Sequence, residues 1–236
     1  MAELDGRVIA IAGAAGGLGP TVARRLADDG ATIAATDRDQ GRLDQLGSEL
    51  GLPSERFDGR TVDLLSEDAA HDWASSLGER FGRVDGLLHL VGGWKGGDPI
   101  ATTPLEDYEW LHDLLVHTVQ HTTRAFYEQL AASPAGRFVL VSSSQAQRPN
   151  GTNASYAATK AAAESWTLAL ADSFEETDAT ANIIVVNAIL TPRMREESPD
   201  KKFPTFTPAE ALADAIRFVV SDSAAKMNGK RLELHP

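Results

Sequence analysis

The sequence predicts a single α/β domain in which helices cover both faces of a parallel sheet, and three observations support this. Short apolar runs alternate with longer segments of helical period along nearly the whole chain, which is typical of βαβ units. A glycine-rich turn follows the first apolar run. The length of 236 residues suits one large domain and is short for two.

Two patterns predict the individual elements. Runs of aliphatic and β-branched residues indicate strands, because the strands of a parallel sheet are buried on both faces. Apolar residues spaced three and four apart indicate helices. The predicted strands are residues 7–12, 31–36, 61–64, 84–91, 138–141, 182–187 and 231–234. The predicted helices are residues 20–29, 42–50, 68–81, 105–131, 154–174 and 208–220. Their alternation predicts a doubly wound, seven-stranded sheet.

One long segment lies outside this alternation. Residues 191–207 contain three prolines and many charged side chains, so we predict a loop rather than a linker between domains. Loops of this length often cover a functional site. We therefore expect residues 191–207 to cover the substrate.

The composition excludes several classes of protein. A formal net charge of −12 disfavours nucleic-acid binding, which requires a basic surface, and gives no attraction to an anionic membrane. The chain has no cysteine, so thiolate nucleophiles and thiolate metal sites are excluded, and we expect no metal. The N-terminus lacks the basic region of a signal peptide, and no stretch approaches the roughly 18 apolar residues of a transmembrane helix. We expect a soluble cytoplasmic protein that acts on a small molecule.

The first predicted strand runs into a glycine-rich turn, GAAGGLG at residues 13–19, which Pro20 and a predicted helix follow. Glycine lets the backbone turn sharply and approach a pyrophosphate, towards which the helix N-terminus directs free N–H groups. We expect Gly13, Gly17, Leu18 and Gly19 to contact a dinucleotide. An ordinary glycine-rich turn is the alternative, and the position after the first strand favours the phosphate site.

The second predicted strand is followed by Asp37, eighteen residues after Gly19. An acid there accepts hydrogen bonds from the adenosine ribose and repels a 2′-phosphate, so Asp37 predicts NAD(H) over NADP(H). Arg38 is adjacent and suited to contact a 2′-phosphate. A helix-capping aspartate followed by a surface arginine is a second interpretation of the pair. Together with the glycine turn, the pair favours cofactor binding.

Tyr156 and Lys160 lie four residues apart near the start of a predicted alanine-rich helix, so their side chains share one face. The ordinary pKa of tyrosine is near 10, and a nearby ammonium with a cationic nicotinamide lowers it towards the range of an efficient acid or base. Ser143 lies thirteen residues earlier, at the end of an apolar strand, where a hydroxyl is placed to hold a substrate carbonyl. A Tyr-x-x-x-Lys pair by itself also occurs on ordinary helix surfaces. Ser142 and Ser144 flank Ser143, and the spacing selects Ser143.

These residues together resemble the pattern of the short-chain dehydrogenase/reductase family over nearly the whole chain. The matching positions are Gly13, Gly17, Gly19, Asp37, Asp63, Ser143, Tyr156 and Lys160. The resemblance implies a Rossmann-type fold and hydride transfer between NAD(H) and a small alcohol or carbonyl compound. It implies that Tyr156 is the general acid or base, that Lys160 also binds the nicotinamide ribose, and that Ser143 polarises the substrate oxygen.

The resemblance also places the adenine and supports the choice of cofactor. Asp63 and the backbone of Leu64 are expected to contact the adenine. Gly16 stands where NADP-preferring relatives often carry a basic side chain, which supports NAD(H). The family further implies a homo-oligomer, a tetramer or dimer, in which the helices at 105–131 and 154–174 pair across a two-fold axis.

The chain departs from the family pattern at three places. Relatives usually read Asn-Asn-Ala-Gly after the fourth strand, whereas residues 89–92 read His-Leu-Val-Gly and keep only Gly92, which lets the backbone approach the cofactor. The helix at 105–131 lacks the asparagine with which many relatives hold a water in a proton relay. His117 or His121 is a candidate substitute, and a structural or surface histidine is the alternative. The segment after the sixth strand is short, as in dihydropteridine-reductase-like members, and Thr191 is the candidate for contact with the carboxamide.

The substrate is expected between residues that follow Gly92, residues of the loop before Tyr156, and the cover. Trp94 and Gln145 are the main candidates for the substrate walls, with Lys95, Gln147 and Arg148 beside them. Trp94 is suited either to stack on a planar substrate or to pack its loop against the domain.

Two other functions stay open. The departures suggest a cofactor-binding sensor or scaffold with weak turnover, against which the presence of Ser143, Tyr156 and Lys160 argues. A sugar-nucleotide epimerase or dehydratase also carries Tyr-x-x-x-Lys, but the few residues after the last predicted helix leave no substrate domain.

Overall fold

A seven-stranded parallel sheet forms the centre of the protein, whose computed structural model describes residues 3–235. The strands of the chain are β1 Val8–Ala12, β2 Thr32–Asp37, β3 Phe57–Thr61, β4 Gly86–His89, β5 Arg137–Ser143, β6 Thr180–Val186, β7 Ala188–Leu190, β8 Phe206–Pro208 and β9 Arg231–Glu233. The order in the sheet is β3-β2-β1-β4-β5-β6-β9, with every neighbouring pair parallel, and β7 and β8 pair separately. The predicted doubly wound sheet is confirmed, and its strand order reverses between β1 and β4.

Helices cover both faces of this sheet. They are α1 Gly19–Asp28, α2 Gln40–Leu50, α3 Glu67–Phe81, α4 Leu105–His112, α5 Thr118–Ala132, α6 Ala154–Ser173, α7 Pro192–Glu197 and α8 Ala209–Val220. Side chains of β1 alternate between two apolar layers: Ile9 and Ile11 face the layer of α1, α2 and α8, and Ala10 faces the layer of α3, α5 and α6. None of the described helices combines the length and apolar character needed to cross a bilayer.

The helix predicted at 105–131 is one continuous run with a change of winding in its middle. A π-helical turn, Asp113–His117, joins α4 to α5. The Thr118 hydroxyl donates a hydrogen bond to the Leu114 carbonyl across this turn, at 2.7 Å. Such turns often occur at functional sites, and Leu114 and Thr118 both face the cleft described below.

The third strand was predicted at 61–64 and this is wrong, because the strand is Phe57–Thr61. Its sequence is polar, and Asp58 is buried within it through ion pairs with Arg60 and Arg80. A buried charge that is neutralised by ion pairing gives no apolar signal in the sequence. Thr61 is instead the last residue of the strand, and residues 62–64 follow it.

The prediction of a loop over 191–207 is also wrong in part. The segment contains α7 and most of β8, which pairs with β7 in a small parallel sheet. The Thr191 hydroxyl caps α7 by accepting a hydrogen bond from the Met194 N–H at 3.2 Å. Pro192 in the first turn is compatible with a helix, because the N–H it lacks has no partner there.

Candidate active site

A cleft of about 1120 Å³ opens at the carboxyl ends of the sheet strands, where α/β proteins of this topology bind ligands. The sequence-predicted residues that line it are Gly13, Gly17, Leu18, Asp37, Arg38, Asp63, Leu64, Gly92, Trp94, Ser143, Gln145, Tyr156, Lys160 and Thr191. Gly19, also predicted from the sequence, is not among the lining residues and lies against the backbone of Ala14. The remaining wall includes Trp110, Leu114, Thr118, Ala188 and Ile189.

The glycine turn at one end of the cleft allows main chain to pass close to main chain. Gly13 has a φ of 82°, and a Cβ there would lie 2.8 Å from the Val91 nitrogen. A Cβ on Gly19 would overlap the backbone of Ala14, and one on Gly17 would lie 3.0 Å from Cγ2 of Thr191. Larger residues would therefore distort the turn.

The N-terminus of α1 faces this turn. No side chain of residues 3–235 caps it, whereas Asp39 caps α2 and Ser66 caps α3. Uncapped first-turn N–H groups are available to an anion. The turn and the helix start therefore fit a pyrophosphate.

Asp37 closes the turn from the neighbouring strand. Its carboxylate accepts hydrogen bonds from the Ala15 N–H at 2.9 Å and from the Arg38 N–H at 2.7 Å. The alternative of a helix-capping Asp37 does not hold, because the cap of α2 is Asp39. Asp63 lies at the same end of the cleft and accepts a hydrogen bond from the Leu65 N–H at 3.0 Å.

Ser143, Tyr156 and Lys160 meet near the middle of the cleft. Ser143 is the last residue of β5, and its side chain interacts with that of Tyr156. The Lys160 ammonium donates a hydrogen bond to the Val141 carbonyl at 3.0 Å and lies 6.0 Å from the Tyr156 ring centroid. Because α6 begins at Ala154, both Tyr156 and Lys160 project from its first turns towards the end of β5.

Burial dominates the titration of these two groups. It raises the pKa of Tyr156, and the hydrogen bond with Ser143 offsets only part of the rise. Burial lowers the pKa of Lys160 to about 8, although the Glu164 carboxylate opposes this. The expected lowering of the tyrosine pKa by Lys160 is therefore not produced by the chain's own groups.

Glu164 is a buried charge that the sequence reasoning missed. Its carboxylate is paired with Arg231 of β9 at 2.8 Å and accepts a hydrogen bond from the Gln147 amide at 3.2 Å. It follows Lys160 by one helical turn, so Tyr156, Lys160 and Glu164 form a stripe at spacing four. This spacing of four in the sequence could have identified Glu164 as a neighbour of Lys160.

The histidines proposed for the relay lie elsewhere. His117 pairs with Asp113 on the helix surface, and Nδ1 of His121 lies 3.0 Å from the Leu64 carbonyl oxygen. Neither is among the residues that line the cleft. His89 is instead the histidine next to the charge of Lys160, where burial first and that charge second lower its pKa to about 3.

His89 stands where relatives usually carry an asparagine. It is buried at the end of β4, with Nε2 3.0 Å from the Thr118 hydroxyl and Nδ1 3.3 Å from the Thr122 hydroxyl. A neutral imidazole has one donor and one acceptor nitrogen, which suits these two hydroxyls. His89 therefore ties β4 to α5.

Among the candidate substrate residues, Trp94 and Gln145 line the cleft, while Lys95 and Gln147 are engaged elsewhere. Lys95 forms an ion pair with Asp107 at 2.5 Å, and Gln147 binds Glu164. Trp94 remains 57% exposed, so it is not buried between its loop and the domain.

The described residues also contain a trio whose ligand atoms lie within 4.8 Å of one another. Its members are His112, Asp113 and His117, and none of them lines the cleft.

Comparisons with known proteins agree with this arrangement. The family described as short chain dehydrogenase matches residues 7–202. The chain is 29% identical to 2,3-dihydro-2,3-dihydroxybenzoate dehydrogenase of Bacillus subtilis over 183 residues, which cover 77% of this chain and 69% of that protein. It is 27% identical to 7alpha-hydroxysteroid dehydrogenase of Escherichia coli K12 over 240 residues, covering 98% and 93%. An NAD+-bound xylitol dehydrogenase has the same fold, with a TM-score of 0.86 at 21% identity over 99% of both chains.

The doubly wound sheet, the glycine turn and the cleft define a dinucleotide-fold oxidoreductase. The chain belongs to the short-chain dehydrogenase/reductase family. The family resemblance read from the sequence is confirmed.

Proposed function

We propose that this oxidoreductase transfers a hydride between NAD(H) and a small alcohol or carbonyl compound, with Tyr156 as general acid and base. The observation that carries the proposal is the meeting of Ser143, Tyr156 and Lys160 in a cleft whose far end holds the glycine turn and Asp37. Two relatives are named as dehydrogenases of hydroxyl-bearing compounds, which supports alcohol and carbonyl chemistry.

The residues present fit a dinucleotide. The glycine turn lets main chain pass close to main chain and to Thr191, and the uncapped start of α1 offers N–H groups to the pyrophosphate. Asp37 would accept hydrogen bonds from the ribose hydroxyls, with Arg38, Asp63 and Leu64 around the adenosine. Lys160 and Thr191 would contact the nicotinamide half of the dinucleotide. Gly92 would let the main chain after β4 approach the cofactor. When bound, the nicotinamide supplies or accepts the hydride.

The chain's own groups handle the proton. In reduction the carbonyl carbon gains the hydride and the carbonyl oxygen gains the Tyr156 proton, so a ketone becomes a secondary alcohol. The raised pKa of Tyr156 keeps its hydroxyl protonated at neutral pH, which suits this donation. Ser143 would donate a hydrogen bond to the same oxygen. In oxidation, a nicotinamide cation beside Tyr156 favours the phenolate.

The preference for NAD(H) rests on Asp37 and Gly16. The Asp37 carboxylate lies at the cleft where a 2′-phosphate would approach, and like charges repel. Arg38 lies beside Asp37, and its positive charge attracts a 2′-phosphate. A preference for NAD(H) therefore requires that the repulsion by Asp37 is stronger than the attraction by Arg38.

Thermal unfolding with NAD+, NADH, NADP+ and NADPH in turn tests the cofactor. A ligand at 100 times its dissociation constant stabilises the protein by about 2.7 kcal/mol, which raises the unfolding midpoint measurably. We expect the larger shift with NADH than with NADPH. A larger shift with NADPH would contradict the Asp37 argument, and no shift with any nucleotide would contradict the proposed function.

A cofactor-binding sensor with weak turnover is the second candidate. The observation that favours it is that neither His117 nor His121, the candidates to replace the relay asparagine, lines the cleft. Steady-state assays of the wild type with NADH and a panel of ketones separate the two. Sustained turnover supports the enzyme, and binding of NADH without turnover supports the sensor.

We also propose a homo-oligomer in a reducing cytoplasm, with the cover of residues 191–207 over the substrate. A groove of about 460 Å³ runs over the faces of α5 and α6 and includes Tyr127, Trp166 and Leu170, which favours helix pairing between copies there. The lack of cysteine agrees with a reducing compartment. Analytical ultracentrifugation tests the assembly, and a monomer at micromolar concentration would contradict it.

A further inference from the structure

The substrate end of the cleft carries no charge. Among the described lining residues, Asp37, Arg38 and Asp63 lie at the cofactor end and Lys160 lies in the middle. Beyond Ser143 and Tyr156 the lining is uncharged, and its residues are Gly93, Trp94, Trp110, Leu114, Gln145, Ala188 and Ile189. Moving a carboxylate from water into such a wall is costly unless a cation pairs with it.

Two indole rings form much of this end. Trp94 and Trp110 both line the cleft and remain 57% and 40% exposed. Gly93 lets Trp110 and Leu114 approach the loop, because a Cβ at Gly93 would lie 2.7 Å from Cη2 of Trp110 and 2.6 Å from Cδ2 of Leu114. Trp110 is thus packed in position while its ring surface stays open to a ligand.

Residues 94–110, which include both tryptophans, carry most of the exposed large apolar side chains of the described residues. Eight large apolar side chains are exposed among residues 3–235, and five of them lie between positions 94 and 110. These five are Trp94, Ile100, Leu105, Tyr108 and Trp110. Scattered apolar residues need no explanation, but a concentration in the segment that supplies two side chains of the cleft wall indicates a binding surface.

Lys95, the one cation of residues 94–110, is already paired. The Lys95 ammonium pairs with Asp107 at 2.5 Å and lies 5.1 Å from the centroid of the Trp110 ring. The loop is also tied to the segment before α6, since the Gly97 N–H donates a hydrogen bond to the Thr152 carbonyl at 2.7 Å. The wall therefore offers a preformed apolar surface, and the cation beside it, Lys95, is already paired with a carboxylate.

We propose that the substrate is a neutral ketone that carries a flat ring, or the corresponding secondary alcohol, with the ring against Trp94 and Trp110 and the oxygen at Ser143 and Tyr156. This rests on the proposed function and names its substrate class. Gln145 adds a polar contact, because its amide oxygen is buried without a hydrogen-bond partner among the described residues and is suited to accept one from the substrate.

Two ketones that differ in charge test the class. Methyl 4-acetylbenzoate is neutral, and 4-acetylbenzoate carries a carboxylate on the same ring. We expect kcat/KM with NADH to be at least tenfold higher for the ester than for the acid, and likewise higher than for 2-butanone, which has no ring. Equal or better reduction of the acid or of 2-butanone would overturn the substrate class.

Variants of the wall locate the effect. Trp110→Ala and Trp94→Ala should each lower kcat/KM for the ester several-fold more than they lower it for 2-butanone. Trp110→Phe keeps an aromatic ring and should retain most of the activity. Phe218→Ala removes an exposed ring on α8, outside the cleft, and is the matched control. Unchanged ester kinetics in both tryptophan-to-alanine variants would also overturn the inference.

Thermal unfolding with NADH separates this inference from the proposed function. If NADH raises the unfolding midpoint but the enzyme prefers acidic or ringless ketones, the proposed substrate class is wrong and the proposed function stands. If NADH binds but no ketone is reduced, the same assay compares the ester and the acid on the NADH-loaded protein. Equal stabilisation, or none, overturns the class. No shift with any nucleotide and no turnover removes the proposed function itself.

Discussion

The two ends of the cleft are built from different parts of the chain. At the cofactor end, main-chain groups form most of the structure. The N–H groups of Gly13 and Ala14 donate hydrogen bonds to the Thr36 carbonyl, and glycines let neighbouring main-chain segments approach closely. At the substrate end, side chains form the wall, with Trp94 and Trp110 foremost. Backbone sites constrain residue type strongly, whereas a side-chain wall can change with the substrate.

Between these ends lies a third kind of construction, a buried set of charges. Lys160, Glu164 and Arg231 come from α6 and β9, and Gln147 joins them from the loop after β5. Buried charges are tolerated when they are paired, and loss of one partner leaves the other costly. Substitutions in this middle region should therefore have larger effects than substitutions at either end.

The largest expected effect is the loss of turnover in Tyr156→Phe. Removing a general acid typically costs 10²- to 10⁴-fold in rate, and the fold should be unchanged because the ring remains. Steady-state reduction measures the loss, and thermal unfolding checks that NADH still binds. Tyr127→Phe, which loses only a hydrogen bond to the Ser173 carbonyl, is the control. Undiminished turnover in the Tyr156 variant would contradict the assigned role.

Glu164→Gln should act on both stability and pH dependence. Removing the buried carboxylate leaves Arg231 only the exposed Glu233 at 3.9 Å, and should lower the free energy of unfolding by about 3 kcal/mol, measured by urea unfolding. Glu164 raises the pKa of Lys160, which is about 8, so its removal lowers that value further. The alkaline decline in kcat/KM for reduction should then move to lower pH.

The pH profile distinguishes positioning of Lys160 from mere packing. A purely structural Glu164 would change the unfolding midpoint and leave the alkaline limb in place. Glu175→Gln, on the exposed surface, should change neither.

The sequence predicted the cofactor end and most of the sheet, but not the middle region. The glycine turn and Asp37 are contiguous signals, since each lies directly after a strand. Glu164 and Arg231 are 67 residues apart, and their pairing depends on β9 adding to the sheet beside β6. The charged strand β3 was missed because Asp58 pairs with Arg80 of a later helix. Contacts of this kind appear only once the chain is folded.

His89 illustrates the same limit and gives a smaller effect. Its pKa is lowered from 6.5 to about 3 in the folded protein, so the unfolded chain binds an extra proton between these values. The free energy of unfolding should therefore fall as the pH drops through about 6.5, by roughly 2 kcal/mol at pH 5 from this residue alone. Urea unfolding at pH 7 and pH 5 measures the difference.

His89→Asn should make that acid loss shallower, because asparagine does not titrate and can still bond to Thr118. His71→Asn, at an exposed position, should leave the pH dependence as in the wild type. An unaltered slope in the His89 variant would show that other groups cause the acid loss.

The smallest effect is expected at the cofactor end. Asp37→Asn keeps an oxygen that accepts the hydrogen bond from the Ala15 N–H, so the glycine turn should survive while the charge is lost. The ratio of the dissociation constants for NADPH and NADH should fall about tenfold, or about 1.4 kcal/mol. Asp39→Asn, at the N-cap of α2, should leave the ratio unchanged. An unchanged ratio in the Asp37 variant would place the selectivity in Arg38 or Gly16, and the backbone-built end would then depend on side chains as much as the substrate end does.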